Sequence, residues 1–502
     1  MRNMTVVISD LHFEEEKKDI ISDPSGAQEP INFRRNVPAV AFEDMMRDVA
    51  DQARTNGAAR IDFVLAGDVF DLYRTQLWFE NDTGVRPYCD NDKVRPALET
   101  KLLSILDGIA AEADVGRSLK VFSRFQRGFY LGDSTSEDSE VAFGMPTQLH
   151  YLPGNHDRLA NATPAIRNRV RSLLGMPAGE EPFPHYILSA DPPVLIRHGH
   201  EYDRYNFGED LSHTQIKPDL PIAWYNAATW GDYNTVAIAA RLPFLFRQVY
   251  PDPLILGDLA LQVIYCRILE FDDVRPQSAV LDFFLNTTVP VKFPNEAGPG
   301  PRPARAPGAA TPGDIYAHRE DLQRAMWAKI TPVIRRLRDE VLKDPYFRSW
   351  SWKLFTWKAP LLFLLLRFLP LNLWIARRVG RWLRKHRNDA GDGKSSPETF
   401  AAHEIAVHGG QACFVCAGHT HKPQVAHIFT RNDLKRFYTD TGTWRNAVLS
   451  AGDERSYGRV NATTYVTFYG READPCQSSH PDHGFEFWTG YGQNWPVDGH
   501  DH

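Results

Sequence analysis

The chain has 502 residues, with 57 Lys or Arg against 63 Asp or Glu and a formal charge of −6. That length can bury a large core and more than one structural unit, and the mild acidity excludes a protein built as a whole to bind polyanions. Five cysteines, Cys89, Cys266, Cys413, Cys416 and Cys476, are too sparse and odd in number for a disulfide framework, which fits a reducing compartment.

In chain order, residues 5–9 read as a buried first strand running into Asp10, Leu11 and His12. Residues 1–4 lack the long apolar region of a secretory signal. A cytoplasmic protein, or one peripheral on the cytosolic face of a membrane, is therefore the expectation. Residues 39–54 repeat apolar side chains at helical spacing (Val40, Met45, Val49, Ala53). A second strand, 61–66, precedes Gly67, Asp68 and Asp71. Between 74 and 147 the pattern predicts a polar region, one helix over 94–113 and a solvated acidic loop over 132–140. Strand 149–152 precedes Gly154, Asn155, His156, Asp157 and Arg158, and a helix covers 162–174. Strand 194–197 runs into His198, Gly199 and His200. Strand 413–417 runs into Gly418, His419, Thr420 and His421; Cys413 and Cys416 have redox-motif spacing but sit in this apolar run, and read as buried strand cysteines. Further strands are predicted at 424–430, 435–439 and 462–469. Strands alternating with helices argue an α/β core whose functional residues lie on loops beyond strand ends.

The interval 201–410 separates His198 from His419, and a segment that long should form a cap, lid or second subdomain. The expected organisation is a core of 1–200 plus 411–475, an insertion of 201–410 and a tail of 476–502. Flexible connectors are expected at 294–312 and 389–397. Within the insertion, 322–342 reads as an amphipathic packing helix through Trp327, Ile330, Ile334, Leu337 and Val341. Residues 345–388 contain ten Lys or Arg, five Trp and no Asp or Glu. Their apolar run, 361–375, is broken by Arg367, Pro370 and Asn372 and falls short of the ~20 clean residues needed to span a bilayer. The expectation is docking on an anionic membrane surface through Trp357, Arg367, Trp374, Arg377, Arg378 and Arg381, with the apolar residues 242–246 beside it. A buried cap helix and nucleic-acid binding are the alternatives.

The five polar fragments form a pattern together that none carries alone. Asp10 and His12 are two apart, which in an extended segment puts both side chains on one side. Asp68 has two oxygens and can bridge two metals. Asn155 adds a neutral oxygen; His198, with His200 as the alternative, adds an imidazole; His419 and His421 are again two apart. Asp10, His12, Asp68 and His421 group around one metal, and Asp68, Asn155, His198 and His419 around another. Such a pair can clamp a phosphoester and generate the hydroxide that attacks it. Asp71 and Asp157 support the site by hydrogen bonding a ligand or loop. Arg158 contacts either a substrate phosphate or a surface carboxylate.

This ordered set closely resembles the calcineurin-like metallophosphoesterase superfamily, over about residues 4–200 and 412–470. The resemblance implies that Asp10, His12, Asp68, Asn155, His198, His419 and His421 are metal ligands. It implies that His156 meets the substrate phosphate and protonates the leaving group, making His156 and Asp68 the catalytic residues. It also implies a four-layer metallophosphoesterase fold, a central β-sandwich flanked by helices, here carrying a large mostly helical insertion. Two divalent ions are implied, manganese first, with iron or zinc as alternatives. Asp440 to Trp444 is similar to the family's late strand-turn segment. The His-Gly pair and that segment resemble the UDP-diacylglucosamine pyrophosphatases, which differ in carrying Arg where this chain has His156 and Asp where it has His200. The expected activity is hydrolysis of a phosphoester or pyrophosphate, on an amphiphilic or lipid-linked substrate. A nuclease or nucleotide phosphodiesterase is one alternative, and a non-catalytic metal-binding scaffold the other.

Overall fold

The computed structural model of the chain describes residues 2–269, 312–355 and 396–491, without 27–29, 33, 89–94, 134–135, 137–138, 432–433, 451–456, 461 and 471–483. It is a mixed α/β protein. The strands in chain order are β1 Arg2–Ile8, β2 Ala58–Ala66, β3 Phe129–Leu131, β4 Glu140–Ala142, β5 Thr147–Leu152, β6 Tyr186–Ala190 and β7 Pro193–Arg197. They continue with β8 Phe414–Ala417, β9 Gln424–Arg431, β10 Leu434–Asp440, β11 Ala447–Ser450, β12 Tyr457–Val460, β13 Ala462–Tyr469 and β14 Phe485–Tyr491. Two sheets have five strands each, in the orders β14-β13-β1-β2-β5 and β6-β7-β8-β10-β9.

Strand direction positions the site. In the first sheet β1, β2 and β5 run parallel. In the second, β7, β8 and β10 do. The loops that leave these strands therefore emerge in register: Asp10 after β1, Asp68 after β2, Asn155 after β5, His198 after β7, His419 after β8. Parallel strands bury both faces and so read as continuous apolar runs, which is what residues 5–9, 61–66 and 413–417 show.

Alternation within each strand sorts the core. Val7, Val64, Leu152 and Val466 of the first sheet share one apolar cluster with Ile196, Phe414 and Cys416 of the second. The neighbouring residues Val6, Ile8, Phe63 and Leu65 face the other way, onto helices α1 Ala39–Thr55, α2 Arg95–Ala110, α3 Ala113–Gln126 and α4 Pro164–Leu174. Leu195, Val415 and Tyr438 pack against Ala401 and Ile405 of the Pro397–Val407 helix. Helix α4 shows how sequence sets a boundary. The Thr163 hydroxyl accepts a hydrogen bond from Ile166 N–H, Pro164 occupies the first turn, and Gly175 at φ 68° ends the helix.

The described part of 201–410 is mostly helical from residue 222 onward. Leu242, Leu245 and Phe246 of the Arg241–Val249 helix join Ile264 and Tyr265 of the Leu259–Leu269 helix in a separate core. Trp327, Ile330, Val333 and Leu337 of the Pro312–Val341 helix complete it, as the amphipathic spacing over 322–342 predicts. This corrects the reading of 242–246 as a surface segment. Its apolar residues face the helix stripe, while Arg241 and Arg247 pair with Glu340 and Asp252. Trp350, in the basic aromatic stretch, stacks its ring on Trp230 at 3.7 Å. Trp357, Arg367, Trp374, Arg377, Arg378 and Arg381 lie outside the described residues. No helix among the described residues is long and apolar enough to cross a membrane.

Other differences have local causes. One helix is expected near residues 94–113; a second, α3, follows it, its stripe of Val115, Leu119, Phe122 and Phe125 hidden among polar residues. Within the expected tail 476–502, Phe485–Tyr491 pairs along β13, and Phe485 and Phe487 pack on the apolar cluster shared by the sheets. The edge strand β6 also escapes the sequence reading, since its residues are only half-buried. Cys413 and Cys416 are buried and free, and burial pushes the Cys416 thiol up to about 12.

Candidate metal centre

All seven residues expected as ligands converge where the two parallel strand sets end. His12 Nε2 and His421 Nε2 face each other at 3.0 Å. Asp10 Oδ1 lies 3.3 Å from His421 Nε2 and 3.8 Å from His12 Nε2. Asp68 Oδ2 stands between two groups, 3.8 Å from His12 Nε2 and 3.2 Å from His198 Nε2. Asn155 Oδ1 is 3.1 Å from the same His198 nitrogen. Asp10, His12 and His421 form one set of atoms close enough to share an ion, and Asp68, His198 and His419 form another.

The backbone is bent to achieve this. Among the described residues, six non-glycine residues have a left-handed φ. Five of them are Asp10 (54°), His12 (45°), Asp68 (52°), His419 (71°) and His421 (59°). Each such conformation costs free energy that the surroundings must offset, and such residues concentrate where function demands a direction. The glycines beside them permit close approach: a Cβ on Gly67 would overlap the His198 ring, and one on Gly154 would overlap the Asp68 carboxylate.

The donor set fits a cation. Asp10 Oδ1 and Asp68 Oδ2 are buried without a hydrogen-bond partner, an arrangement that is costly unless a positive charge is shared there. His198 Nδ1 donates to Ala66 O at 2.9 Å, which leaves Nε2 to point its lone pair at Asp68 and Asn155. Two acceptors so close to a third lone pair need a proton or a metal between them. The titration of the residues says the same. Burial draws His12 and His198 down, but the carboxylates of Asp10 and Asp71 beside His12, and the charges of Asp68 and Asp10 near His198, lift both to about 10. Burial raises Asp10 and Asp68, and His198 with the neighbouring histidines outweighs it, holding both below the usual carboxylate range.

Around these residues runs a supporting set. Asp71 accepts from His12 Nδ1 at 3.4 Å and from His156 Nδ1 at 3.1 Å, and from the backbone N–H of Tyr73 and Arg74. His156 is partly exposed and lies edge-on to His12, ring centres 4.7 Å apart. Its geometry also admits another reading, since His12, Asp68 and His156 together could hold an ion. Asp157 accepts from the N–H groups of Asp68, Val69, Phe70 and Gly154, tying the β2 and β5 loops together. The Asp440 to Trp444 turn braces the first loop: Thr443 Oγ1 and Trp444 N–H both donate to Asp10 O, at 2.8 and 3.0 Å. Asp440 itself accepts from Thr420 Oγ1.

Two expected residues do something else. Arg158 neither contacts the site's open side nor forms a surface pair. It is buried, ion-paired to Asp232 at 2.7 Å and donating to Asn226 O and Pro87 O, because the insertion closes over it. His200 packs its ring beside His198, Phe207 and Tyr225, and burial pulls it down to about 3, so it is neutral. It is a wall of the site, with Glu201 next to it completing a buried pair to Arg197. Sequence reasoning missed Asp203, whose Oδ2 is 3.2 Å from His419 Nε2. The only sequence signal for it is an acid three residues after His200.

No protein-family model matches this chain, and no curated protein matches it.

Proposed function

We propose that this chain is a binuclear metal-dependent phosphoesterase of the calcineurin-like metallophosphoesterase superfamily. The observation that carries the reading is the convergence of seven ligand-type residues, five of them on left-handed backbone, around two buried carboxylate oxygens that lack a hydrogen-bond partner. The sheet pair, with helices on the outer face of each, supports the four-layer form of that fold.

Asp10, His12, Asp68 and His421 would hold one ion and Asp68, Asn155, His198 and His419 the other, manganese being the first choice for a mixed oxygen and imidazole set. Bound there, the ions supply Lewis acidity toward a phosphoryl oxygen and lower the pKa of water to near neutrality. The chain's own residues do the rest. Asp68, with Oδ2 between the two groups and Oδ1 accepting from the His156 backbone N–H at 2.7 Å, keeps the two halves of the site in register. His156 stands at the partly exposed side and holds a proton at Nε2 for the leaving oxygen. Asp71, accepting from Nδ1 at 3.1 Å, fixes the orientation of that ring. Substrate class is proposed from the basic aromatic stretch: an amphiphilic phosphoester or pyrophosphate.

The test is metal content with turnover. The purified chain should bind up to two divalent ions, and chelation should abolish hydrolysis of a bis-aryl phosphodiester. Asp68→Asn should lose both metal binding and activity. An Asp68→Asn variant that binds two ions and turns over normally sinks the assignment. A metal-loaded chain that cleaves nothing in a panel of nucleotides, phospholipids, phosphopeptides and single-stranded nucleic acid would favour the scaffold reading, and cleavage of the last alone would favour a nuclease.

A further inference from the structure

The described insertion begins with a residue that reaches back into the centre. Asp203 closes the short 3-10 turn His200–Tyr202 that follows the β7 loop. Its Oδ2 is 3.2 Å from His419 Nε2, while Oδ1 accepts from Tyr205 N–H at 2.9 Å and Oδ2 from Asn206 Nδ2 at 2.9 Å. Those two residues are in turn clamped. Tyr205 O accepts from Gly231 N–H at 2.7 Å, and Gly231 has no Cβ to displace the Asn206 amide packed against it. The carboxylate is thus held by the insertion and aimed at an imidazole of the core.

An imidazole has two nitrogens, and a partner on one decides what the other can do. A carboxylate on Nε2 takes that nitrogen's N–H, fixes the tautomer and leaves the Nδ1 lone pair to bind. The His419 backbone N–H is already fixed, donating to Asp10 Oδ2 at 2.9 Å. With the backbone held on one side and Nε2 on the other, the ring has one orientation left. We infer that Asp203 is a positioning residue: it selects the His419 tautomer and ring direction that bind the second ion, so that the insertion completes the centre with Asp68, Asn155 and His198. The inference rests on the metal centre proposed above.

The experiment titrates the metal-free full-length chain with Mn²⁺, by calorimetry and by electron paramagnetic resonance. Wild type should take up two ions and give the signal of a coupled pair. Asp203→Ala should keep one ion at wild-type affinity and bind the other about 10- to 100-fold more weakly, leaving an isolated-ion signal at intermediate concentration. Asp203→Asn keeps an acceptor for the imidazole N–H and should fall between the two. Thermal melting of each metal-free variant reports the fold; if Asp203→Ala does not fold, weakening of one ion in folded Asp203→Asn supports the role and wild-type affinity there overturns it. Two undisturbed ions in Asp203→Ala overturn it, as does equal loss in both variants, which would mark Asp203 as a ligand. A wild-type chain that binds no ion overturns the centre itself and this role with it.

Discussion

At the scale of single residues, two predictions follow from the histidines. His156 is oriented by Asp71 and, among the imidazoles of the group, is partly exposed like His421. His156→Ala should lower turnover about 10²- to 10⁴-fold, the usual range for a proton-transfer group, while both ions remain bound. The loss should be larger for alkyl than for aryl esters, whose leaving groups need less help. Metal analysis beside kcat decides it: a variant short of one ion, with normal turnover in its loaded fraction, makes His156 a ligand instead. The second prediction concerns protons. His12 and His198 are lifted to about 10, so at neutral pH the metal-free protein carries both as cations. A group raised above its unfolded value of about 6.5 stabilises the fold fully below that value and loses the contribution as pH climbs through about 10. Metal must displace these protons, so affinity should rise with pH between 6.5 and 10, and binding should release protons. The metal-dependent increase in melting temperature should widen over the same window. Calorimetry in buffers of different ionisation enthalpy measures the release, and a heat independent of buffer contradicts it.

The elements show why some of this was readable and some was not. Residues 5–9, 61–66, 149–152, 194–197 and 413–417 were legible because parallel strands are apolar on both faces and each stops at a polar cluster. Asp10 with His12, and His419 with His421, were expected to pair through an extended spacing of two; both pairs do reach the centre, but through left-handed backbone at all four residues and not through an extended strand. Helix α3 and strand β14 were not legible, since the apolar residues of each are diluted by polar ones, and strand β6 was not because it is a five-residue strand at a sheet edge. Asp203 was illegible for another reason: its partner His419 lies 216 residues away, and no local pattern marks a contact made only by folding. Arg158 carried a misleading signal, since an arginine after Asn-His-Asp looks like a phosphate contact until Asp232 closes over it. The loops themselves are held by Asp157, which accepts four backbone N–H groups from the β2 and β5 loops. Asp157→Ala strands those donors in a buried place, where an unsatisfied group costs about 1–3 kcal/mol. The variant should lose at least about 3 kcal/mol of stability, and Asp157→Asn distinctly less, because one oxygen can still accept. Denaturant unfolding of the metal-free protein reads this directly, and equal stability of Asp157→Ala and wild type would mean the loops hold their shape unaided.

For the whole molecule, the question is what the insertion adds to a centre that the core almost builds alone. Its described helices are fastened on both sides of the stretch that follows residue 355. Before it, Tyr346 and Tyr233 stack at 5.4 Å and Trp350 lies on Trp230. After it, Glu404 of the Pro397–Val407 helix pairs with the buried Arg197 at 2.8 Å, one residue from His198. Residues 356–395 are thus flanked in sequence by segments packed on the described fold, the second of them through Arg197, the neighbour of His198. Their composition, rich in Arg, Lys and Trp and without an acid up to Asp389, motivates the prediction that they bring the site to an anionic membrane. Each basic residue near such a surface contributes about 1 kcal/mol within a Debye length, so half of those present would give firm peripheral binding, helped by inserted Leu and Trp side chains. Flotation of the full chain with liposomes should rise with anionic lipid, weaken but persist in high salt, and fall when Trp357, Leu361, Phe363 and Leu364 are replaced by Ser. That variant should keep its melting temperature and its hydrolysis of a soluble aryl diester while losing its preference for a vesicle-borne substrate. Wild type that stays at the bottom of the gradient, with a variant that unfolds, would instead assign these side chains to a buried core. Binding of DNA in place of vesicles, with strand cleavage, would redirect the arginines and the centre they accompany toward nucleic acid.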